Sequence, residues 1–417
     1  MGQSLCAPVL SKETKSWQNE NYSVAVSSMQ GWRVHMEDAH MCLLELPGDP
    51  KAAYFSVFDG HGGTRVANHA SRHLHEKILE QIEYTCHNLR QYCSLRHRGM
   101  KESCKGLASV GPSRLPDWGP RDGATLSDMA QNRSQWRSCC RNDIKEAIRH
   151  AFLSMDAEMQ SEMTTYSVKS SAPKLDSSVN LTAPGSVVAV KDSTVETHND
   201  STTSFSLKIP NPGDELAGST GIIVLLKDQM LYCGNAGDSR AVCSRRGVAE
   251  PLSTDHKPTL RAEKERISAA GGWVDAKRVN GNLALSRAFG DFVFKRNPHQ
   301  SAENQIVTAN PDVFVRRLSV EDDEFIVLCC DGIWDVMTNQ EVVSFIRLRL
   351  SYGMLPSKVC EELMMRCLAP DCHTNGLGCD NMTVVLVCLL QGRPFSDLQR
   401  KCSRSCPAGP AADILGA

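Results

Sequence analysis

The sequence contains no C-x-x-C pair, although 18 of its 417 residues are Cys. They are scattered, apart from the doublets Cys139-Cys140 and Cys329-Cys330. That pattern argues against a zinc ribbon or a thioredoxin-like motif. The cysteine density is also far below the ~8–10% of a disulfide scaffold. Long apolar runs are lacking too. The longest, Val384 to Leu390, falls well short of the ~20 residues a membrane span needs, and the N-terminus lacks the apolar core of a signal peptide. The expectation is a reduced, soluble, cytoplasmic protein, with the nucleus left open. An excess of one charge is missing as well. The 46 Lys and Arg stand against 48 Asp and Glu, a net charge of −2. There is no electrostatic case for nucleic acid as a partner.

What is present is an ordinary globular composition, 41% hydrophobic and 23% charged. At ~150 residues per domain the length allows two or three domains, or one large domain with insertions. Residues 1–19 are polar and irregular and read as a tail. Tyr22 to Ser28 and Ala53 to Phe58 read as strands, the second buried and ending at Asp59-Gly60-His61-Gly62-Gly63. Val66, Ala70, Leu74, Ile78 and Ile82 then recur at helical spacing, and Ile144, Ile148, Ala151, Phe152, Met155 and Met159 mark a second helix. On either side of that helix, residues 85–140 and 165–213 lose periodicity and read as disordered insertions. The first insertion is basic, with nine Lys and Arg against four Asp and Glu, and the second is rich in Ser and Thr. From Gly221 the pattern is strand, turn, strand, loop, strand. A short helix follows over Pro258 to Ala270, then a buried strand over Phe325 to Cys330 ending at Asp331-Gly332, two helices, and a last strand over Asn381 to Leu390. Adjacent strands joined by tight turns imply antiparallel sheets, and helices arriving in pairs imply layered α+β, with sheets inside and helices outside.

The acids carry the chemistry. Asp59 and Asp331 each end an apolar strand before a Gly, Asp238 follows Leu231 to Gly237, Asp380 opens the last strand, and Glu37-Asp38 follows the first. Either Asp-Gly alone reads as a turn, and Glu37-Asp38 alone as a solvated face. Together, strand-end carboxylates would repel unless cations bind between them. Oxygen-only clusters select hard ions such as Mg²⁺ or Mn²⁺.

Five segments in order, GWRVHMEDAH (Gly31 to His40), FDGHGG (Phe58 to Gly63), GNAGDSRAV (Gly234 to Val242), VNGNLALSRAFGD (Val279 to Asp291) and CDGIWDVM (Cys330 to Met337) with CDNMTVVLV (Cys379 to Val387), resemble the metal-dependent Ser/Thr protein phosphatases of the 2C type. The resemblance implies a four-layer α-β-β-α sandwich, two antiparallel sheets packed face to face with helices outside. The catalytic domain would span residues 20–391, followed by a tail over 392–417. Two ions would be held there, Asp59 bridging them, with Glu37 and the Gly60 carbonyl on one and Asp331 and Asp380 on the other. Asp238 with Asp331 matches a third, weaker site. Asp38 would hold bound water, and Asp335 is a supporting candidate or simply an acid at a helix N-terminus. Arg33 would bind the substrate phosphate. His61 would protonate the leaving alkoxide, although a lone His after Asp-Gly is more often a structural donor. Arg287 and Asp291 would shape a flap beside the site. The implied reaction is hydrolysis of phosphoserine and phosphothreonine in proteins by a hydroxide between two ions, with no phosphoenzyme. Cys329 and Cys330, inside a strand, read as packing.

His35 and Cys379 depart from the family pattern without removing a ligand. Gly2 and Cys6 are candidates for acylation, with Cys6 standing where Ser or Thr is usual, and two acyl chains would be needed for firm peripheral membrane attachment. The rival reading is a pseudophosphatase acting as a binding module, which predicts missing ligands. A monomer is the default expectation.

Overall fold

The computed structural model describes residues 4–97, 133–171, 214–372 and 376–405. The insertions expected to be disordered lie outside the described residues over 98–132 and 172–213, as do Gly2 and residues 406–417.

In chain order, β1 (Ser4–Gln18) and β2 (Tyr22–Arg33) form one hairpin and β3 (Ala39–Leu43) and β4 (Ala52–Phe58) another, and the short β5 (Gly60–His61) leads into α1 (Arg65–His97). After α2 (Arg133–Ser171) come β6 (Gly218–Ser219), β7 (Gly221–Lys227), β8 (Met230–Ala236), β9 (Arg240–Arg245) and β10 (Val248–Pro251). Short elements follow: α3 (Arg261–Ala269), the hairpin β11 (Val274–Asp275) and β12 (Arg278–Val279), and β13 (Phe289–Gly290). The chain closes with β14 (Asp312–Arg317), β15 (Asp323–Cys329), α4 (Asp331–Trp334), α5 (Asn339–Ser351), α6 (Pro356–Cys367), β16 (Met382–Leu389) and α7 (Phe395–Ser403).

Two antiparallel sheets lie in the middle, with strand orders β1-β2-β16-β15-β9-β10 and β14-β8-β7-β4-β3. A strand side chain alternates between faces, which explains the unbroken apolar runs. Ile222 and Val224 of β7 meet Val26, Ile326, Leu328 and Val385 of the other sheet, while Ile223 and Leu225 turn to the helices. Outside the five-stranded sheet, Leu74 and Ile78 of α1 and Ile148, Phe152 and Met155 of α2 are at most 1% exposed. Outside the six-stranded sheet, Val343 and Ile346 of α5, Leu363 of α6 and Leu398 of α7 pack on Val327 and Leu386. The four-layer sandwich is therefore present as the sequence implies. Each of those large buried side chains contributes roughly 1.5–3 kcal/mol relative to exposure.

Local chemistry sets the turns. Asp228 and Gln229 both take positive φ between β7 and β8, as do Ala276 and Lys277 between β11 and β12. That backbone matches the twist of a two-residue hairpin. α5 opens on a capping box between Thr338 and Glu341, and α6 on Pro356.

Four readings are corrected. Residues 4–18 form the edge strand β1, paired along β2 with register shifts, where the sequence suggests an irregular tail. Residues 395–403, read as tail, form α7, which buries Leu398 and Cys402. α1 and α2 run further into the insertions than apolar periodicity indicates. A disulfide joins Cys372 and Cys379 just before β16, in place of a fully reduced chain.

Candidate metal and phosphate site

Strand register decides where the acids meet. β4 runs directly into Asp59, and β15 ends two residues before Asp331. β16 lies antiparallel to β15, with Val384 opposite Cys329, so Asp380 arrives beside the end of β15. β2 pairs with β16, Met29 opposite Met382, which sets Gly31 to Arg33 against Asp380. β3 pairs with β4, Ala39 opposite Phe58, and that register makes Asp38 the neighbour of Asp59. Ala236 ends β8 opposite Gly221, and Asp238 follows. Glu37, Asp38, Asp59, Asp238, Asp331, Asp335 and Asp380 are thus gathered at one end of the two sheets. One ligand atom each from Asp38, Asp59 and Cys330 lies within 4.8 Å of the others.

Polar neighbours hold these groups in place. Asn381 accepts from the Glu37 N–H at 2.9 Å and donates to the Gln30 and His35 carbonyls at 2.8 and 3.0 Å. A Glu37 carboxylate oxygen accepts from the Gly63 N–H at 2.6 Å. The Thr220 hydroxyl accepts from the Asp59 N–H at 3.1 Å, and Thr383 donates its hydroxyl to Asp38 at 2.7 Å. A Cβ on Gly60 would lie 2.4 Å from the Glu37 carbonyl oxygen, so a bare glycine is what lets these segments meet. Sequence reading did not single out Asn381, Thr220, Thr383 or Lys257. Their partners are remote in the chain, and only the adjacency of Asn381 to Asp380 offered a signal.

The electrostatics are those of an uncompensated acid cluster. Burial first, then repulsion by Asp331, Asp38, Asp380 and Asp238, pushes the Asp59 carboxyl well above its ordinary range. Asp331 is raised the same way, by burial and then by Asp238 and Asp380. Burial lifts Asp38 to about 7, against the hydrogen bond from Thr383. Asp335 is also raised, chiefly by burial. Among the described residues, no cation forms an ion pair with Asp38, Asp59 or Asp331. One buried oxygen of Asp38, Oδ1, has no hydrogen-bond partner. At the rim, Arg33 is bound to Asp380 and Lys257 to Asp238. Both cations are held above their ordinary values, because the surrounding acids outweigh the opposing effect of burial. A donor set made mostly of carboxylates, mutual repulsion and an orphaned carboxylate oxygen together fit hard divalent cations.

Cys329 and Cys330 are buried, as expected of packing residues, and burial pushes both thiols well up, so neither is a thiolate nucleophile. His61 lies at the rim with its Nε2 2.8 Å from Asp291 Oδ2. Burial disfavours its charge, but Asp291 and then Glu37 and Asp238 outweigh burial and hold its pKa above the usual value. A Cβ on Gly218 would stand 2.2 Å from Asp291 Oδ2 and 2.6 Å from His61 Nε2, so this glycine, also missed in the sequence, makes the contact possible. Arg287 has its ion-pair partners on α3 and β14. It binds Glu263 of α3 at 2.7 Å and Asp312 of β14 at 3.0 Å. Of the acylation candidates, Cys6 is exposed on β1 and Gly2 lies outside the described residues.

Comparison with known proteins agrees with this architecture. The family model described as protein phosphatase 2C matches residues 22–109 and 127–376. A probable protein phosphatase 2C of Caenorhabditis elegans is 43% identical over 404 residues, covering 97% of this chain and 85% of the relative. Probable protein phosphatase 2C 21 of Arabidopsis thaliana is 35% identical over 390 residues, covering 93% and 92%. In fold, the chain is similar to the crystal structure of a Toxoplasma gondii phosphatase, with a TM-score of 0.56 at 21% identity, covering 91% of this chain and 95% of that one.

Proposed function

The chain belongs to the protein phosphatase 2C family and is a metal-dependent protein serine/threonine phosphatase, and from its site we propose that it hydrolyses phosphoserine and phosphothreonine monoesters by direct attack on phosphorus, without a phosphoenzyme. Glu37, Asp59 and the Gly60 carbonyl would hold one ion, and Asp59, Asp331 and Asp380 a second. Asp238 with Asp331, supported by Asp335, would hold a third more weakly. When bound, Mg²⁺ or Mn²⁺ supplies a nucleophile near neutral pH by lowering the pKa of water, and neutralises the phosphoryl oxygens.

The chain's own residues supply the rest. Arg33 gives Asp380 one terminal nitrogen, and the remaining guanidinium donors are free to grip phosphate oxygens as a planar fork. Asp38 offers its unpartnered Oδ1 as a buried acceptor that orients the attacking water. His61 presents Nε2 to Asp291, which leaves Nδ1 to deliver a proton to the departing alkoxide. No cysteine thiolate takes part.

The observation that carries this reading is the convergence of Asp38, Asp59 and Asp331, half-buried, mutually repelling and without a protein cation among the described residues. The test is release of phosphate from a phosphothreonine peptide with Mn²⁺ or Mg²⁺, with and without chelator, beside Asp59→Asn. Activity should require the metal and fall by about a thousandfold or more in the variant. Activity that survives both chelator and substitution would refute it. Because no ligand acid is missing, the pseudophosphatase reading has no observation in its favour. Acylation at Gly2, with Cys6 as a second anchor, is a separate proposal, checked by fatty-acid analogue labelling that is lost in Gly2→Ala. Among the described residues, no helix is long and apolar enough to cross a membrane.

A further inference from the structure

Away from the acid cluster, one buried ion pair makes contacts that packing alone does not require. Asp156 lies on the inward face of α2, one turn after Phe152, and is 8% exposed. Lys295 follows the short helical turn Phe292–Phe294 and is 9% exposed. The Lys295 ammonium lies 2.8 and 2.7 Å from the two Asp156 oxygens and 2.8 Å from the Ala288 carbonyl oxygen, which employs all its donors. Asp156 Oδ1 also accepts from the Gly290 N–H at 2.8 Å. The pair therefore grips the backbone on both sides of Phe289, whose ring packs on Phe152 with centroids 4.9 Å apart.

The gripped segment ends in an unusual turn. Gly290 and Asp291 take φ of +72° and +52°, and Asp291 is a non-glycine residue only 1% exposed. Such backbone costs of order 1–3 kcal/mol and persists only where its surroundings over-determine it. What the turn delivers is the Asp291 carboxylate, 2.8 Å from His61 Nε2. A buried ion pair is a weak stabiliser, often replaceable by apolar side chains at no loss. Its value here is geometric.

We propose that Asp156 and Lys295 are positioning residues for the reaction, acting through the Gly290-Asp291 turn to hold Asp291 against His61 and so to aim the proton donor at the leaving group. The inference rests on the phosphatase reading above.

The test compares two substrates on Asp156→Ala, Asp156→Asn and Lys295→Met. A phosphothreonine peptide releases an alkoxide that needs a proton, whereas p-nitrophenyl phosphate releases a phenolate that does not. In Asp156→Ala and Lys295→Met, kcat for the peptide should fall about 10- to 100-fold, with KM within about twofold and p-nitrophenyl phosphate turnover within about threefold. Asp156→Asn keeps an oxygen for the Gly290 N–H and should recover part of the loss. Because the ratio of the two rates is taken on one preparation, partial misfolding cancels. In the metal-free chain, the downfield Nε2–H proton resonance of His61, identified by its loss in His61→Ala, should vanish in Asp156→Ala. An unchanged rate ratio with the resonance retained would overturn the inference while leaving the phosphatase reading intact. A wild-type chain inactive on both substrates with Mn²⁺ would overturn the phosphatase reading, and this inference with it.

Discussion

The molecule contains two groups of acids with opposite electrostatics. On α3, Glu263 accepts from Arg266 at 2.7 Å, from Arg287 at 2.7 Å and from Ser286 at 2.6 Å. Against the cost of burial, these donors hold Glu263 down to about 2. Asp312, between Arg287 and His256, is lowered as well, first by its hydrogen bond to His256. At the sheet ends, the half-buried Asp59 and Asp331 are pushed up instead. The difference is the supply of cations. The Glu263 group carries its own and acts as a fixed strut, while among the described residues the ion-paired cations of the sheet-end group lie at its rim, on Arg33 and Lys257. Carboxylates kept together without an internal counter-charge need one from solution.

Substitutions can break that contrast. The largest expected effect is catalytic: Gly218→Ala would drive a Cβ into the contact between His61 and Asp291 and should lower phosphopeptide kcat by about 100-fold, measured beside p-nitrophenyl phosphate. Next comes Glu263→Gln, which leaves the half-buried Arg266 guanidinium without its carboxylate and Arg287 with Asp312 alone. It should cost about 3 kcal/mol or more, with or without metal, in denaturant unfolding. Asp331→Asn should do the reverse in the metal-free chain. Relieving repulsion should raise its stability at pH 8 by about 1 kcal/mol. The smallest effect is on pH. The folded pKa of Glu263 is depressed, so its contribution is present above the unfolded value of ~4.3 and is lost as pH falls toward about 2. The difference in midpoint between wild type and Glu263→Gln should therefore narrow from pH 5 to ~2.5. A difference that is constant across this range would sink the assignment.

The acids were legible in the sequence because each sits at the end of an apolar strand beside a glycine or opens one, as Asp59, Asp331 and Asp380 do. The α2 stripe was legible because Ile148, Phe152, Met155 and Met159 repeat at helical spacing. What escaped notice depends on distant pairing. β1 has no apolar alternation because it is an edge strand, with most residues exposed or half-buried. α7 is short and buries only Leu398, Lys401 and Cys402, with Phe395 half-buried against the core. Asn381 acts on Glu37, Gly218 makes room for Asp291, and Lys295 reaches back to Asp156. Each is an ordinary residue until the register of the sheets supplies its partner.

The most direct measurement is the thermal midpoint of three chains, wild type, Asp59→Asn and Glu263→Gln, each titrated with Mn²⁺ after chelator treatment. A ligand at ~100 times its Kd adds about 2.7 kcal/mol to the folded state, equivalent to a few degrees for a domain of this size. Wild type and Glu263→Gln should rise by that amount from different starting points, and Asp59→Asn should not rise. A gain in Asp59→Asn equal to that of wild type would contradict a divalent-cation site at the sheet ends.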